Sequence, residues 1–148
     1  MPDNKTIVTK LLDAVWTKGQ LAIVDELVSK DFVGYWPLRL EPVKGLAEYK
    51  ELVTETRRIF PDQTVKILEQ IGEGEIVATR IQVTGTQRAE FLTVPPTHKS
   101  VTVEGLVLSR IVHGKLVETR TQMDVFAIFR ALGMVSPNIA MPAHAVAH

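Results

Sequence analysis

Residues 101–124 read VTVEGLVLSRIVHGKLVETRTQMD, and this stretch predicts two long strands joined by a tight turn. Apolar and polar residues alternate through both halves, which is the period of a half-buried strand. His113 and Gly114 separate the halves, and a two-residue connection of this kind is typical of a hairpin. We therefore predict strands from Val101 to Val112 and from Lys115 to about Asp124.

The sequence before this hairpin predicts two further strands. Residues 65–71 carry apolar residues at alternating positions, and the sequence GEGE at residues 72–75 predicts a turn. A strand from Ile76 to Thr84 follows, with Val77, Thr79, Ile81 and Val83 on one side and Ala78, Arg80, Gln82 and Thr84 on the other.

The N-terminal third of the chain predicts helices. Apolar residues recur with a helical period over residues 5–18, and a second short helix is expected over residues 21–28. An aromatic-rich strand is expected over residues 32–36, and a third helix after Pro42 that stops at Pro61. A last short helix, residues 126–132, precedes Gly133 as its C-terminal cap.

This order of elements predicts an α+β fold in which N-terminal helices pack on a mostly antiparallel sheet. We expect a single domain over residues 1–133 and a loosely ordered tail over residues 134–148. Helices on one face of a curved sheet leave an opening at one end, and this opening is the expected ligand pocket.

Composition excludes several classes of function. The 148 residues include 17 Lys plus Arg and 17 Asp plus Glu, so the formal net charge is zero. The chain therefore has no overall charge that would attract nucleic acid or an anionic membrane. Cysteine is absent, which excludes disulfides and thiolate chemistry and fits a cytoplasmic location. No secretory signal, spanning segment or metal, nucleotide or serine-hydrolase motif is visible.

Three groups of residues resemble the SnoaL-like polyketide cyclase, or ester cyclase, family. This family belongs to the nuclear transport factor 2-like superfamily of α+β cones, and the resemblance spans about residues 5–133. The matching residues are Gly45 through Phe60-Pro61-Asp62; Thr84-Gly85-Thr86 with Pro95-Pro96-Thr97; and Arg110-Ile111, Gly114 to Glu118, Asp124 and Leu132-Gly133.

The resemblance implies an enzyme that closes a polyketide ring by an intramolecular aldol reaction without metal or organic cofactor. It also implies that Asp124, late in the last strand, is the acid/base. The chain departs from the family pattern at positions expected around the pocket. Arg120 replaces a common Trp, Gln87 and Tyr35-Trp36 stand where His is common, and His98 replaces a Gly.

The last strand has a polar face formed by Glu118, Arg120, Gln122 and Asp124. If this face lines the pocket, Asp124 supplies a base and Arg120 a cation that stabilises an enolate or orients the substrate. An apolar pocket disfavours the charged form of a carboxylate and would make Asp124 a better base. The alternative is that this face is solvated.

Six residues are candidates for binding the substrate. Each has an alternative structural role: Tyr35, Trp36 and Tyr49 as core aromatics, His98 as an exposed turn residue, and the polar strand residues as a solvated surface. The candidates are Tyr35, Trp36, Tyr49, Arg80, Gln122 and His98.

Two functions remain open at this point. The first is a cofactor-independent cyclase or isomerase that acts on a small hydrophobic carbonyl compound or opens an epoxide. The second is a non-catalytic domain that binds a small apolar ligand or dimerises. A homodimer is expected in either case, because one sheet face would expose Val77, Ile81, Val83, Val101, Val103 and Val107.

Overall fold

Helices pack against one face of a six-stranded sheet in the computed structural model, which describes residues 3–143. Residues 3–143 contain four α-helices, and the first continues into a π-helical segment. The helices are α1 (Asn4–Lys10) with its π-helical continuation (Leu11–Thr17), α2 (Ala22–Leu27), α3 (Gly45–Ile59) and α4 (Val125–Ala131). The strands are β1 (Val28–Tyr35), β2 (Val43–Lys44), β3 (Thr64–Glu73), β4 (Ile76–Thr86), β5 (Ser100–Val112) and β6 (Lys115–Met123).

The sheet is mixed and curved, with strand order β2-β1-β6-β5-β4-β3. β3 to β6 form an antiparallel meander, as the alternating sequence predicts. β1 lies parallel to β6, with Gly34 opposite Thr119. The first strand of the chain is thus paired with the last one. The predicted α+β fold, with N-terminal helices packed on a mostly antiparallel sheet, is confirmed.

Element boundaries follow local signals in the sequence. Asp3 caps α1 by accepting a hydrogen bond from the Thr6 amide at 2.8 Å. His113 and Gly114 both have positive φ angles, as the tight turn between β5 and β6 requires. Gly133 follows α4 with a φ of 76°, the conformation expected of a C-terminal cap.

The core lies between the helices and the inner face of the sheet. The valines and isoleucines of β4 and β5 point into it, and Val77 is fully buried. The expectation that these side chains form an exposed dimer face is therefore wrong, because the helices cover the apolar face and leave the charged face to solvent. The residues concerned are Val77, Ile81, Val83, Val101, Val103 and Val107.

Residues 144–148 of the predicted tail lie outside the described residues. Over residues 3–143, none of the helices combines the length and the hydropathy that a bilayer crossing needs.

Candidate active-site cavity

A cavity of about 230 Å³ lies between the helices and the inner face of the sheet. Its opening is marked by Leu38 and Arg39, which are exposed members of the lining. Most other lining side chains are aliphatic or aromatic. They include Val8, Leu11, Leu12, Trp16, Trp36, Tyr49, Leu52, Phe60, Val65, Ile81, Val83, Phe91, Val101, Val103, Val107, Leu116, Met123 and Ile128.

Four aromatic rings pack together at one wall of the cavity. Tyr49 of α3 stands edge-on to Phe32 of β1, with ring centroids 5.1 Å apart, and Trp16 and Trp36 each lie within 6 Å of Tyr49. Gly34 makes this packing possible, because a Cβ at that position would collide with the rings of Phe32 and Trp36. Three of these four residues, Trp16, Trp36 and Tyr49, line the cavity, and Phe32 packs behind them.

The Tyr49 hydroxyl accepts a hydrogen bond from the indole N–H of Trp16 at 2.9 Å. An indole N–H can only donate, so the hydroxyl keeps its own hydrogen for another acceptor. Within residues 3–143 that hydrogen has no protein acceptor, although Tyr49 is only 2% exposed and lines the cavity. Burial raises the pKa of Tyr49 far above its ordinary value, so the side chain is a neutral phenol.

The two central strands, β5 and β6, contribute three residues with hydroxyl groups to the cavity lining. Ser109 of β5 and Thr119 and Thr121 of β6 are all buried and all point inward. Sequence reasoning did not single them out. The signal was present, because they lie on the uncharged face of strands whose other face carries the charges.

The loop between β4 and β5 contributes Phe91 to the cavity lining, next to Phe60, the residue that follows α3. Gln87 holds this loop in place, since its fully buried amide donates to the carbonyls of Ala89, Val94 and Pro95. The same amide accepts hydrogen bonds from the Thr97 backbone and hydroxyl. Gln87 is thus a support of the cavity rim.

Asp124 does not line the cavity. Its side chain is exposed and accepts a hydrogen bond from the Ala127 amide at 3.0 Å, which caps α4. Of the two alternatives for the polar face of the last strand, the structure supports the solvated one, because Thr119, Thr121 and Met123 face inward instead. Arg120 and Gln122 are exposed on the outer face, and Arg120 stacks over Tyr35 at 4.2 Å.

Two of the six predicted binding residues line the cavity, Trp36 and Tyr49. The other four lie elsewhere. Tyr35 and Gln122 are on the outer face, and Arg80 forms ion pairs there with Glu69 and Glu104. His98 is at an exposed loop, 3.1 Å from the Arg88 guanidinium.

The cavity is chemically neutral apart from its rim. Arg39 is the one charged side chain among the described lining residues, and no Asp or Glu belongs to the lining over residues 3–143. The same residues contain no group of three or more His, Cys, Asp or Glu side chains that could hold a metal ion. The arrangement can therefore bind an apolar ligand and donate neutral hydrogen bonds to it.

An apolar cavity enclosed by helices and the inner face of a curved mixed sheet is the arrangement of an α+β cone with the nuclear transport factor 2-like fold. The sequence pattern of the family described as SnoaL-like polyketide cyclase matches residues 6–132. The chain belongs to this family, as its sequence motifs predict. A comparison with curated proteins found no match.

Solved structures share the fold over most of the chain. A proposed SnoaL-like polyketide cyclase from Jannaschia sp. CCS1 superposes with a TM-score of 0.82, at 24% identity over 90% of this chain and 93% of that one. IdmH, a proposed polyketide cyclase from Streptomyces antibioticus, gives 0.77 at 28% identity, covering 87% and 97%. AclR, a proposed hydroxylase from Streptomyces galilaeus, gives 0.77 at 27% identity, covering 89% and 96%. Together with the family, these similarities support a cyclase- or isomerase-type function.

Proposed function

We propose that the chain binds a neutral, largely apolar carbonyl compound of the polyketide type in its cavity and promotes cyclisation or isomerisation of that compound. The observation that carries this proposal is the Tyr49 hydroxyl, whose hydrogen has no acceptor within residues 3–143 although the side chain is buried against the cavity. Such a group is a hydrogen-bond donor for a carbonyl oxygen.

Tyr49 would act on the substrate as a hydrogen-bond donor to a carbonyl oxygen. Ring closure by an aldol reaction places negative charge on a carbonyl oxygen, and a fixed donor in a dry site stabilises that charge. The Trp16 N–H donates to the same hydroxyl oxygen at 2.9 Å, and hydrogen bonds in such a chain strengthen one another. The apolar walls would hold the flexible chain in a folded conformation, which lowers the entropic cost of ring closure.

The proton acceptor in this proposal is the one that the family resemblance assigns, Asp124. Its neighbours Met123 and Val125 line the cavity, while its own carboxylate caps α4 from the outer side. A base in this position needs α4 to release the carboxylate when substrate is bound. Asp124 as the acid/base stays a prediction, and substitution tests it directly.

A non-catalytic ligand-binding function is the second candidate. It is favoured by one observation, which is that no carboxylate belongs to the described cavity lining. In that case the cavity would hold a small apolar ligand with the same hydrogen bond from Tyr49, and no bond of the ligand would change.

The test uses a phenyl-substituted diketone whose two carbonyl groups are separated by three methylene groups. Its intramolecular aldol condensation gives a phenylcyclohexenone with loss of one water, which ultraviolet absorption detects. We expect Tyr49→Phe to lower turnover by about 10²-fold, the typical effect of removing one oxyanion donor. Tyr35→Phe, which removes a hydroxyl from the outer face, is the matched control and should leave turnover unchanged.

Stability needs a separate control in this experiment. Tyr49→Phe leaves the buried Trp16 N–H without its partner, and such an unpaired donor costs about 1–3 kcal/mol. The double variant Trp16→Phe, Tyr49→Phe removes both groups and should recover part of that stability without recovering turnover. Full activity in either variant would contradict the role of Tyr49.

Asp124→Asn tests the proton acceptor. Asparagine is as good an N-terminal cap as aspartate, so α4 should keep its structure. If Asp124 is the acid/base, turnover falls by about 10²–10⁴-fold with little change in the unfolding temperature. If turnover is unchanged, the acid/base assignment is wrong. Binding without turnover in the unmodified protein would favour the second candidate.

A further inference from the structure

We propose that Ser109, Thr119 and Thr121 form a second polar subsite, on the sheet side of the cavity, that binds a neutral oxygen of the ligand. This inference rests on the proposed function and extends it. It names the ligand class as an apolar compound with a carbonyl, hydroxyl or ester oxygen on the side of the cavity formed by β5 and β6. The three residues are called the hydroxyl subsite below.

The strand register brings these three residues together. Ser109 of β5 lies directly opposite Thr119 of β6, and Val107 lies opposite Thr121. Directly opposed residues of antiparallel strands have Cβ atoms about 4.5–5.5 Å apart, and residues two apart on one strand share a face at about 7 Å. One ligand oxygen can therefore lie within reach of more than one of the three hydroxyls.

All three residues are buried but open onto the cavity. Ser109, Thr119 and Thr121 are 2%, 4% and 6% exposed, and all three belong to the cavity lining. No side-chain hydroxyl or amine that is sealed from solvent lacks a partner in the described part of the chain. The residual exposure of these hydroxyls is therefore on the cavity side.

None of the three hydroxyls has a hydrogen-bond partner in the protein over residues 3–143. Other buried polar side chains of the same sheet do have partners. Thr79 accepts from the Gln70 amide, and the Thr86 hydroxyl donates to Asp62 at 2.7 Å. Gln63 donates to the Trp16 carbonyl at 3.0 Å. Because the three hydroxyls open onto the cavity and make no hydrogen bond to the protein over residues 3–143, their hydrogen-bonding capacity is available to a ligand oxygen in the cavity.

The surroundings of the hydroxyl subsite select a neutral ligand group. Its neighbours in the lining are aliphatic, among them Val107, Leu116 and Met123. The only charged lining residue within residues 3–143 is Arg39, at the exposed rim. Without a cation, desolvation of a carboxylate here would be uncompensated, whereas a carbonyl or hydroxyl oxygen would gain hydrogen bonds. A polar site of this kind also discriminates against a hydrocarbon that cannot fill its hydrogen bonds.

The test compares two bicyclic probes of similar size, the ketone tetralone and the hydrocarbon tetralin. Binding of each is measured by calorimetry to the full chain and to the double variant Thr119→Val, Thr121→Val. Valine keeps the shape of threonine and replaces only the hydroxyl. A neutral hydrogen bond contributes about 0.5–1.5 kcal/mol, which corresponds to roughly 2–13-fold in affinity for each hydroxyl that bonds the ketone. We expect tetralone affinity to fall by about tenfold and tetralin affinity to stay the same or increase.

Three controls make the result decisive. Thr119→Ser, Thr121→Ser keeps both hydroxyls and should keep the preference for tetralone over tetralin. Thr102→Val changes a threonine on the outer face of β5 and should affect neither probe. The unfolding temperature of the valine variant should be unchanged or higher, because no protein hydrogen bond is lost. If the valine variant fails to fold, Ser109→Ala alone is measured with both probes.

Unchanged tetralone affinity in the valine variant would overturn the proposal, and so would an equal loss for both probes. Failure of the proposed function looks different. If Tyr49→Phe leaves diketone turnover unchanged but the valine variant loses its preference for tetralone, the hydroxyl subsite stands and the role of Tyr49 falls. The opposite pair of results keeps the function and removes the subsite.

Discussion

Alternation along β6 gives each residue a side, and the cost of burial decides which side faces inward. Glu118 and Arg120 would lose the hydration of full charges inside the cavity, whereas Thr119 and Thr121 lose only that of a hydroxyl. The structure buries the two threonines and leaves the two charged residues on the surface. The higher desolvation cost of a full charge therefore explains why Arg120 lies outside the cavity and the hydroxyls of Thr119 and Thr121 lie inside it.

Asp62 lies just after α3, and its carboxylate forms hydrogen bonds with the end of β4. Its carboxylate accepts hydrogen bonds from the backbone amide and the hydroxyl of Thr86, both at 2.7 Å. The Thr86 backbone hydrogen bond, followed by the hydroxyl, lowers the pKa of Asp62 below its ordinary value of 3.8. The carboxylate form therefore stabilises the folded state.

We predict that Asp62→Asn lowers the free energy of unfolding at neutral pH and that this difference disappears in acid. Because the folded-state pKa is lowered, the stabilisation is complete above the unfolded-state pKa, decreases as the pH falls below that value and is lost as the pH falls through the folded-state pKa. Urea unfolding at pH 7 and pH 3 measures the effect, with Asp31→Asn, a change of an exposed carboxylate in β1, as the control. A difference that is equal at both pH values would contradict this prediction.

At the scale of elements, β1 and α3 build the aromatic wall of the cavity together. Phe32 and Tyr49 meet edge to face across the two elements, and Trp16 joins them from the π-helical segment. The wall depends on Gly34, where the strand leaves room for the rings on either side. Strand β1 thus supplies both a pairing edge for β6 and a surface on which three other aromatic residues can pack.

We predict that Gly34→Ala destabilises the protein by about 1–3 kcal/mol, the usual cost of overpacking a well-packed core. The added methyl group would push Phe32 and Trp36 away from Tyr49 and reduce ligand affinity as well. Gly72→Ala in β3 is the matched control, because a Cβ there meets only ordinary van der Waals neighbours. Chemical unfolding of both variants checks the prediction, and equal stability of the two would refute it.

At the scale of the whole molecule, the helices leave the outer face of the sheet uncovered. Leu106 and Leu108 are 58% and 45% exposed on this face. Ion pairs such as Arg80–Glu104 place both signs of charge around them. A second copy related by a twofold axis could cover the leucines and match opposite charges, so the expected homodimer remains a proposal with a different surface.

We predict a dimer by analytical ultracentrifugation at micromolar concentration, and a monomer for the double variant Leu106→Glu, Leu108→Glu. Two carboxylates at this surface would repel their copies and could not be buried without cost. Leu40→Glu, at a fully exposed position of the loop after β1, is the control and should remain dimeric. A monomeric unmodified protein would rule out the homodimer at that concentration.

The sequence by itself determined the elements and their order, because helical and strand periods, turn residues and helix caps are local properties. The hairpin at His113-Gly114, the end of the third helix just before Pro61 and the family motifs are all predicted in this way, and the fold follows from them. Trp36 and Tyr49 were also within reach, as aromatic residues next to the expected pocket.

Only the tertiary structure decided which face of the sheet lines the cavity and which groups meet there. Alternation defines two faces without saying which one the helices cover, so the charged face of β6 could be either cavity lining or solvated surface, and the prediction that the valines of β4 and β5 are exposed was wrong. The pairing of Trp16 with Tyr49 joins residues 33 positions apart, and the hydroxyl subsite depends on the register between β5 and β6. These contacts arise from packing between distant segments, where the desolvation of charge outweighs local pattern.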